Sequence, residues 1–243
     1  MQKFWNFTEE NGGRVLRIEG YIIEDDPWFL EDESDKDGFT IVKEFKDELN
    51  QGTGDITLWI NSGGGDVFAA NEIYNALKEY PGKITVKIDA LAASAASIVA
   101  MAGDVIEISR VGLIMIHDPM TIAFGNIADM ERAIEHLTAI KDSIINAYEA
   151  KTGLDRDVIA EYMSKESYFD ATEAVKIGFA DKIIGEETPA APVVNAALFS
   201  RKNMYKQLKS LMAGMLAEKP APSNTEKRIS TADLHRRLAQ YEK

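Results

Sequence analysis

Hydrophobic residues recur through the first 184 positions with two different periods. In some segments they occupy alternate positions, the period of a half-buried strand, and in others every third or fourth position, the period of an amphipathic helix. Strands are predicted at 14–22, 55–61, 83–90, 104–110, 112–117 and 179–184. Helices are predicted at 39–51, 66–80, 93–101, 126–153, 155–165 and 171–178. The strand–helix–strand unit at 55–90 has the size that joins neighbouring parallel strands, which indicates an α/β fold.

Turn and cap residues separate these segments. Asp66 is the predicted N-cap of the helix at 66–80, and Pro81-Gly82 ends that helix. The sequence SGGG at 62–65 is predicted to be a turn. The acidic segment 24–38 is predicted to be an exposed loop.

A change in composition near residue 187 marks a predicted domain boundary. Residues 1–186 are predicted to form one α/β domain, residues 187–201 a linker, and residues 202–243 a basic, amphipathic helical tail. Residues 1–200 contain 17 Lys/Arg and 36 Asp/Glu (net −19), whereas residues 201–243 contain 10 and 4 (net +6). The acidic body argues against nucleic acid as a partner. A basic tail is usually only a solvated helix face, although it could also bind an acidic surface.

The composition also excludes several classes of function. The chain has 243 residues and no Cys, so disulfides, zinc–thiolate sites and thiol nucleophiles are ruled out. We see no secretory signal at the N-terminus, and the uncharged stretch 90–102 is too short to span a membrane. These features suit a cytoplasmic protein with no membrane partner, and the serine chemistry considered below would require no metal or organic cofactor.

Only three histidines are available as a general base. His235 lies in the tail and His136 in the helix at 126–153, and we expect both to be surface or packing residues. His117 ends the apolar strand GLIMIH. A side chain at the end of a strand can point into a cleft, so His117 is the candidate base, although a histidine at such a position is more often structural.

The stretch LAASAAS at 91–97 supplies two candidate nucleophiles. Ser94 follows a strand and opens a helix, where free backbone N–H groups can stabilise an oxyanion. Ser97 lies one turn deeper, and we expect it only to help the helix pack. The alternative for the whole stretch is a small-residue contact between helix and sheet. Upstream, the glycines at 62–65 can direct a backbone N–H at a substrate carbonyl and pair with an extended peptide.

Four blocks together carry a family resemblance: INSGGGDVFAANEIYNAL, ALAASAASIVAMAG, LIMIHDP and EAVKIGFAD. In this order and spacing they resemble the Clp protease proteolytic subunit over residues 14–184. Within that family the chain looks most like the head maturation proteases of tailed phages and prophages, which share the glycine that replaces proline at position 63 and a tail after the protease domain.

The resemblance implies roles for particular residues. Ser94 would be the nucleophile and His117 the base, and the backbone N–H groups of Gly64 and Ala95 would form the oxyanion hole. Gly63 and Gly65 would bind the substrate strand. The acid aligns with Glu166, where the family has Asp, and Asp170 is the alternative.

The same resemblance implies the fold and the partners. The expected fold is α/β of the Clp protease and crotonase type, with stacked βαβ units and a long protruding helix. Members form rings, so a homo-oligomer is expected, and Met130, Ile134, Leu137 and Ile140 are a candidate apolar seam. The expected substrate is a polypeptide, in the phage version a capsid or scaffold protein cleaved in the host cytoplasm or the prohead interior.

Three other functions stay open at this point. A housekeeping Clp subunit would work with an ATP-driven unfoldase, an acyl-CoA enzyme of the crotonase type would share the fold, and an inactive assembly factor would need none of the catalytic residues.

Overall fold

Eight strands and six helices make up residues 3–10, 12–23 and 41–186, the part of the chain that this computed structural model describes. The predicted loop at 24–38, the linker and the tail lie outside the described residues. The strands are β1 (Trp5–Glu10), β2 (Gly13–Ile22), β3 (Ile56–Gly65), β4 (Ile84–Ala93), β5 (Val105–Ile108), β6 (Leu113–Ile116), β7 (Ser167–Asp170) and β8 (Lys182–Ile183). The helices are α1 (Ile41–Asn50), α2 (Val67–Glu79), α3 (Ala95–Ala100), α4 (Ile127–Thr152), α5 (Arg156–Ser164) and α6 (Ala171–Lys176).

The sheet is mixed, with a parallel centre. Its order is β1-β2-β3-β4-β5-β8, and β2 through β8 along this path are parallel. The predicted parallel pairing of the strands on either side of α2 is confirmed, as is the Asp66 N-cap, whose carboxylate accepts from the Ala69 N–H at 2.8 Å. The α/β fold expected from the sequence is confirmed.

The sheet divides at β4. The first half of β4 pairs with β5, and its last residues, Leu91–Ala93, pair with β6, which in turn pairs antiparallel with β7. The ends of β4 and β6 therefore lie side by side. The central strands are held in the hydrophobic core by fully buried aliphatic residues, among them Leu58, Ile60, Val86 and Ile88.

One prediction about the elements is wrong, and two strands were missed. The segment SGGG is the last part of β3 and not a turn, because the glycines continue the pairing with β2 at Ile22 and Gly65. The strands β1 and β7 were not predicted; both are short, and each pairs antiparallel with one neighbouring strand.

The long helix α4 has two different halves. Its buried residues, Ile144, Ile145, Ala147 and Tyr148, all lie in the C-terminal half. In the N-terminal half Ile134 is 64% exposed, whereas Ile140, farther along, packs against the core. Among the described residues no helix is both long and apolar enough to cross a bilayer.

Candidate active site

Ser94 and His117 come together because β4 and β6 run parallel and end at the same edge. Ala93 at the end of β4 pairs with Met115 in β6, so the residues that follow each strand are neighbours. The Ser94 N–H donates to the Met115 carbonyl at 2.8 Å. His117 follows Ile116, the last residue of β6. The hydroxyl Oγ of Ser94 lies 2.7 Å from Nε2 of His117, a hydrogen bond.

Ser94 adopts a strained backbone at the turn from β4 into α3. Its φ of 53° and ψ of −126° lie in a region that costs residues other than glycine about 1–3 kcal/mol. Ser94 is the N-cap of α3 but its side chain makes no cap hydrogen bond. The hydroxyl is therefore held out of the helix and directed to His117.

The imidazole of His117 is suited to accept a proton. Burial lowers its pKa from the usual value near 6.5, and the negative charges of Glu166 and Asp118 raise that pKa only in part. His117 is therefore neutral at pH 7. A neutral imidazole within hydrogen-bonding distance of a serine hydroxyl is the arrangement that general-base catalysis requires.

Glu166 lies beside His117 at the end of the β6–β7 ladder. Ile116 pairs with Ser167, so the next pair of positions outward is His117 and Glu166. The Met163 carbonyl accepts from the Glu166 N–H at 3.0 Å and from the Asp118 N–H at 3.2 Å, which ties both sides of this edge to α5. The Glu166 carboxylate also accepts from the Tyr168 hydroxyl at 3.1 Å.

Asp170, the alternative acid, lies elsewhere. It pairs with Leu113 at the far end of β6, four residues and so roughly 13 Å along the strand from His117. Its carboxylate accepts from the Glu173 N–H at 2.9 Å and caps α6. The geometry gives Asp170 a role in starting a helix.

Gly64 lies against the start of α3. Its φ is 94°, and a Cβ at this position would be 2.6 Å from the Ala93 carbonyl oxygen and 2.8 Å from the Ala95 nitrogen. Only glycine avoids both the strain and the collision. Ala95 is the first residue of α3, so its N–H has no acceptor within the helix and remains available to a ligand.

The Gly64 N–H, however, is already used. It donates to the Ser62 hydroxyl at 3.1 Å, and that hydroxyl donates to the Gly20 carbonyl at 2.6 Å. The N–H of the neighbouring Gly65 does not bond to β2. In the parallel ladder it is the N–H of Asp66, one residue later, that donates to the Ile22 carbonyl of β2, at 2.8 Å. The N–H of Gly65 therefore points to the opposite side, on which Ser94 lies.

Three supporting contacts were not predicted. Ser62 is buried and fixes the glycine segment, and its signal in the sequence is only its position before three glycines. The Asp118 carboxylate, next to His117, pairs with the Lys141 ammonium at 2.7 Å. The Ser97 hydroxyl, predicted only to fill space, binds Ser94 and Tyr148. Of the remaining histidines, His136 is exposed on α4 and His235 is outside the described residues.

Comparison with known proteins gives a consistent family match. Residues 20–187 match the family model described as Clp protease. The chain is 31% identical over 146 residues to ATP-dependent Clp protease proteolytic subunit 3 of Rhodococcus jostii, covering 58% of this chain and 71% of that protein. It is 29% identical over 144 residues to the ATP-dependent Clp protease proteolytic subunit of Huperzia lucidula (57% and 68%). The subunit of Deinococcus radiodurans is 27% identical over 136 residues (54% and 66%). The matches span about two thirds of each relative.

Proposed function

Because the chain belongs to the Clp protease family, whose members are serine-type peptidases, we propose that it is an endopeptidase with Ser94 as nucleophile and His117 as general base. The observation that carries this proposal is the 2.7 Å hydrogen bond between Ser94 Oγ and His117 Nε2 at a strained turn. Glu166 is the proposed acid, which orients the imidazole and stabilises its positive charge.

The reaction follows from this arrangement. His117 Nε2 accepts the Ser94 hydroxyl proton as Oγ attacks the peptide carbonyl, and the imidazolium then donates that proton to the leaving amine. Water, deprotonated by His117, hydrolyses the acyl-enzyme and regenerates the serine. These steps require no metal or organic cofactor.

The proposed oxyanion hole combines α3 and the glycine strand. Ala95 supplies one N–H donor. The sequence predicts Gly64 as the second donor, but its N–H would first have to break its hydrogen bond to the Ser62 hydroxyl. The N–H of Gly65 points away from β2, so Gly65 is the better placed donor. An extended polypeptide beside Gly63 and Gly65 would bring its carbonyl to these donors.

The finer proposal is a head maturation protease that cleaves scaffold or capsid proteins. It is supported by glycine at position 63 and by the basic stretch after residue 200. This cleavage would take place in the bacterial cytoplasm or the prohead interior. The protease would act as a ring-forming homo-oligomer and would cleave its own chain within residues 186–203. The alternative is a housekeeping subunit with an unfoldase partner, favoured by the names of the three relatives.

A fluorophosphonate probe tests the chemistry. The wild-type chain should be labelled at Ser94, as shown by peptide mass spectrometry, and Ser94→Ala should abolish both labelling and casein cleavage. An unlabelled but folded wild type would favour an inactive assembly factor or an acyl-CoA enzyme.

A separate assay distinguishes a head maturation protease from a housekeeping subunit. A head maturation protease should cleave an unfolded scaffold protein without ATP and lose its own C-terminal segment, whereas Ser94→Ala keeps it. A requirement for ATP and an unfoldase, together with an intact C-terminus in both proteins, would favour the housekeeping alternative.

A further inference from the structure

Ser94 can keep its strained backbone only if surrounding contacts hold it, and one of these contacts reaches α4. The Ser94 carbonyl accepts from the Ser97 N–H at 2.9 Å and from the Ser97 hydroxyl at 2.5 Å. The Ser97 hydroxyl lies 2.8 Å from the Tyr148 hydroxyl in α4. Both residues are buried, Ser97 completely and Tyr148 to 1% exposure.

The direction of this hydrogen-bond chain is fixed by proton count. Ser97 has one hydroxyl hydrogen, which it donates to the Ser94 carbonyl, so its oxygen accepts from Tyr148. Burial raises the pKa of Tyr148, so the phenol keeps the proton that it must donate. A donor that is itself an acceptor makes a stronger hydrogen bond, so the phenol reinforces the contact to Ser94.

We propose that Tyr148, acting through Ser97, is a positioning residue that holds the Ser94 backbone in the conformation that directs Oγ to His117. The inference rests on the proposed function for its effect on rate. It assigns the second serine of LAASAAS and one buried phenol to the active site, although neither touches substrate. Packing alone does not require the two hydroxyl groups, because a phenylalanine at position 148 and an alanine at position 97 would fill nearly the same space.

The test uses Tyr148→Phe, Ser97→Ala and the double variant. Tyr162→Phe is the matched control, since its ring packs edge-on against Phe169 and its hydroxyl takes part in none of the hydrogen bonds found among the described residues. We expect Tyr148→Phe to lower kcat and the fluorophosphonate labelling rate about tenfold, the effect of one hydrogen bond, with KM unchanged.

The single and double variants separate positioning from stability. Ser97→Ala leaves the Tyr148 hydroxyl buried without an acceptor, so its melting temperature should fall. The double variant removes that unpaired hydroxyl and should recover the melting temperature but not the rate. A rate that follows the melting temperature across all variants would overturn the proposal, as would a wild-type rate in a folded Tyr148→Phe.

Hydrogen exchange provides a readout independent of activity. The amide of Ser94, which donates to the Met115 carbonyl, and the amide of residue 97, which donates to the Ser94 carbonyl, should exchange faster in Tyr148→Phe and Ser97→Ala than in wild type and in Tyr162→Phe. If the wild type is never labelled by the probe, the proposed function fails, and exchange alone decides the positioning role. Unchanged exchange in both variants would overturn it.

Discussion

His117 and Glu166 are neighbours across the open end of the β6–β7 ladder, one step beyond the pair formed by Ile116 and Ser167. The charge of Glu166 raises the pKa of His117, against the larger effect of burial. In the proposed reaction, a carboxylate in this position would favour the imidazolium that forms when Ser94 is deprotonated. The identity of the acid and the pH dependence of the reaction are therefore linked.

Replacing Glu166 by Gln should lower kcat on the order of 10⁴-fold, the scale seen when a triad acid is neutralised. It should also change the pH profile. Because Glu166 raises the pKa of His117, its removal lowers that pKa further, and the acid limb of kcat/KM should move to lower pH. A complete pH–rate profile of Glu166→Gln beside wild type measures both effects.

Asp170→Ala is the control for this assignment. The substitution removes the N-cap of α6, which costs about 1 kcal/mol, so the melting temperature should fall. The kcat and the acid limb should stay at wild-type values. Loss of activity in Asp170→Ala together with a fully active Glu166→Gln would show that the acid has been assigned to the wrong carboxylate.

The wild-type protein should remain active at mildly acidic pH. Burial lowers the pKa of His117, so the ring stays neutral, and able to accept a proton, below the usual value near 6.5. Titration of the imidazole C–H resonances in Ser94→Ala gives this pKa directly, and His136→Gln and His235→Gln assign the signals. A His117 resonance that titrates above 6.5 would contradict the role of burial.

Most of this site follows from the sequence for a physical reason. Residues at the carboxyl ends of parallel strands share one edge of a sheet, so a serine after one strand and a histidine ending another are expected to meet. The helix start at Ser94 was also predictable, because small residues follow a strand there. The fold class followed from the same alternation of strand and helix periods.

The remaining parts depend on contacts that no local pattern records. The extension of β3 through three glycines requires the backbone of β2 as a partner, and glycine alone signals a turn. The short strand β7 lies between two predicted helices, and only its pairing with β6 identifies it as a strand. The hydrogen bond between Ser97 and Tyr148 joins residues 51 positions apart, so the sequence around either residue does not predict it.

Gly64→Ala should lower kcat strongly. The added Cβ would lie 2.8 Å from the Ala95 nitrogen and 2.6 Å from the Ala93 carbonyl oxygen, and alanine also resists a φ of 94°. Displacing one oxyanion donor costs on the order of 10²–10³ in kcat, which initial rates on a peptide substrate would detect.

Gly63→Ala adds the same methyl group one residue earlier. There it meets no described atom within 4 Å, and the backbone N–H and carbonyl that would bind a substrate strand are retained. We expect kcat within a few fold of wild type. Equal losses in the two variants would mean that the glycine segment tolerates no side chain at all and that Ala95 is not specifically affected.

Homo-oligomer formation can be tested on the exposed apolar residues near the start of α4. Phe124 is 87% exposed, Ile127 79% and Ile134 64%, so these three large apolar side chains are candidates for a contact between subunits. Phe124→Asp/Ile134→Asp should shift the mass measured by light scattering toward the monomer and leave the secondary structure unchanged, because neither side chain supports the core.

Val111→Asp is the control, since Val111 is 82% exposed at the turn between β5 and β6. A wild type that stays monomeric at all concentrations would contradict the proposed ring, and an unchanged mass in the double variant would exclude this surface as its interface.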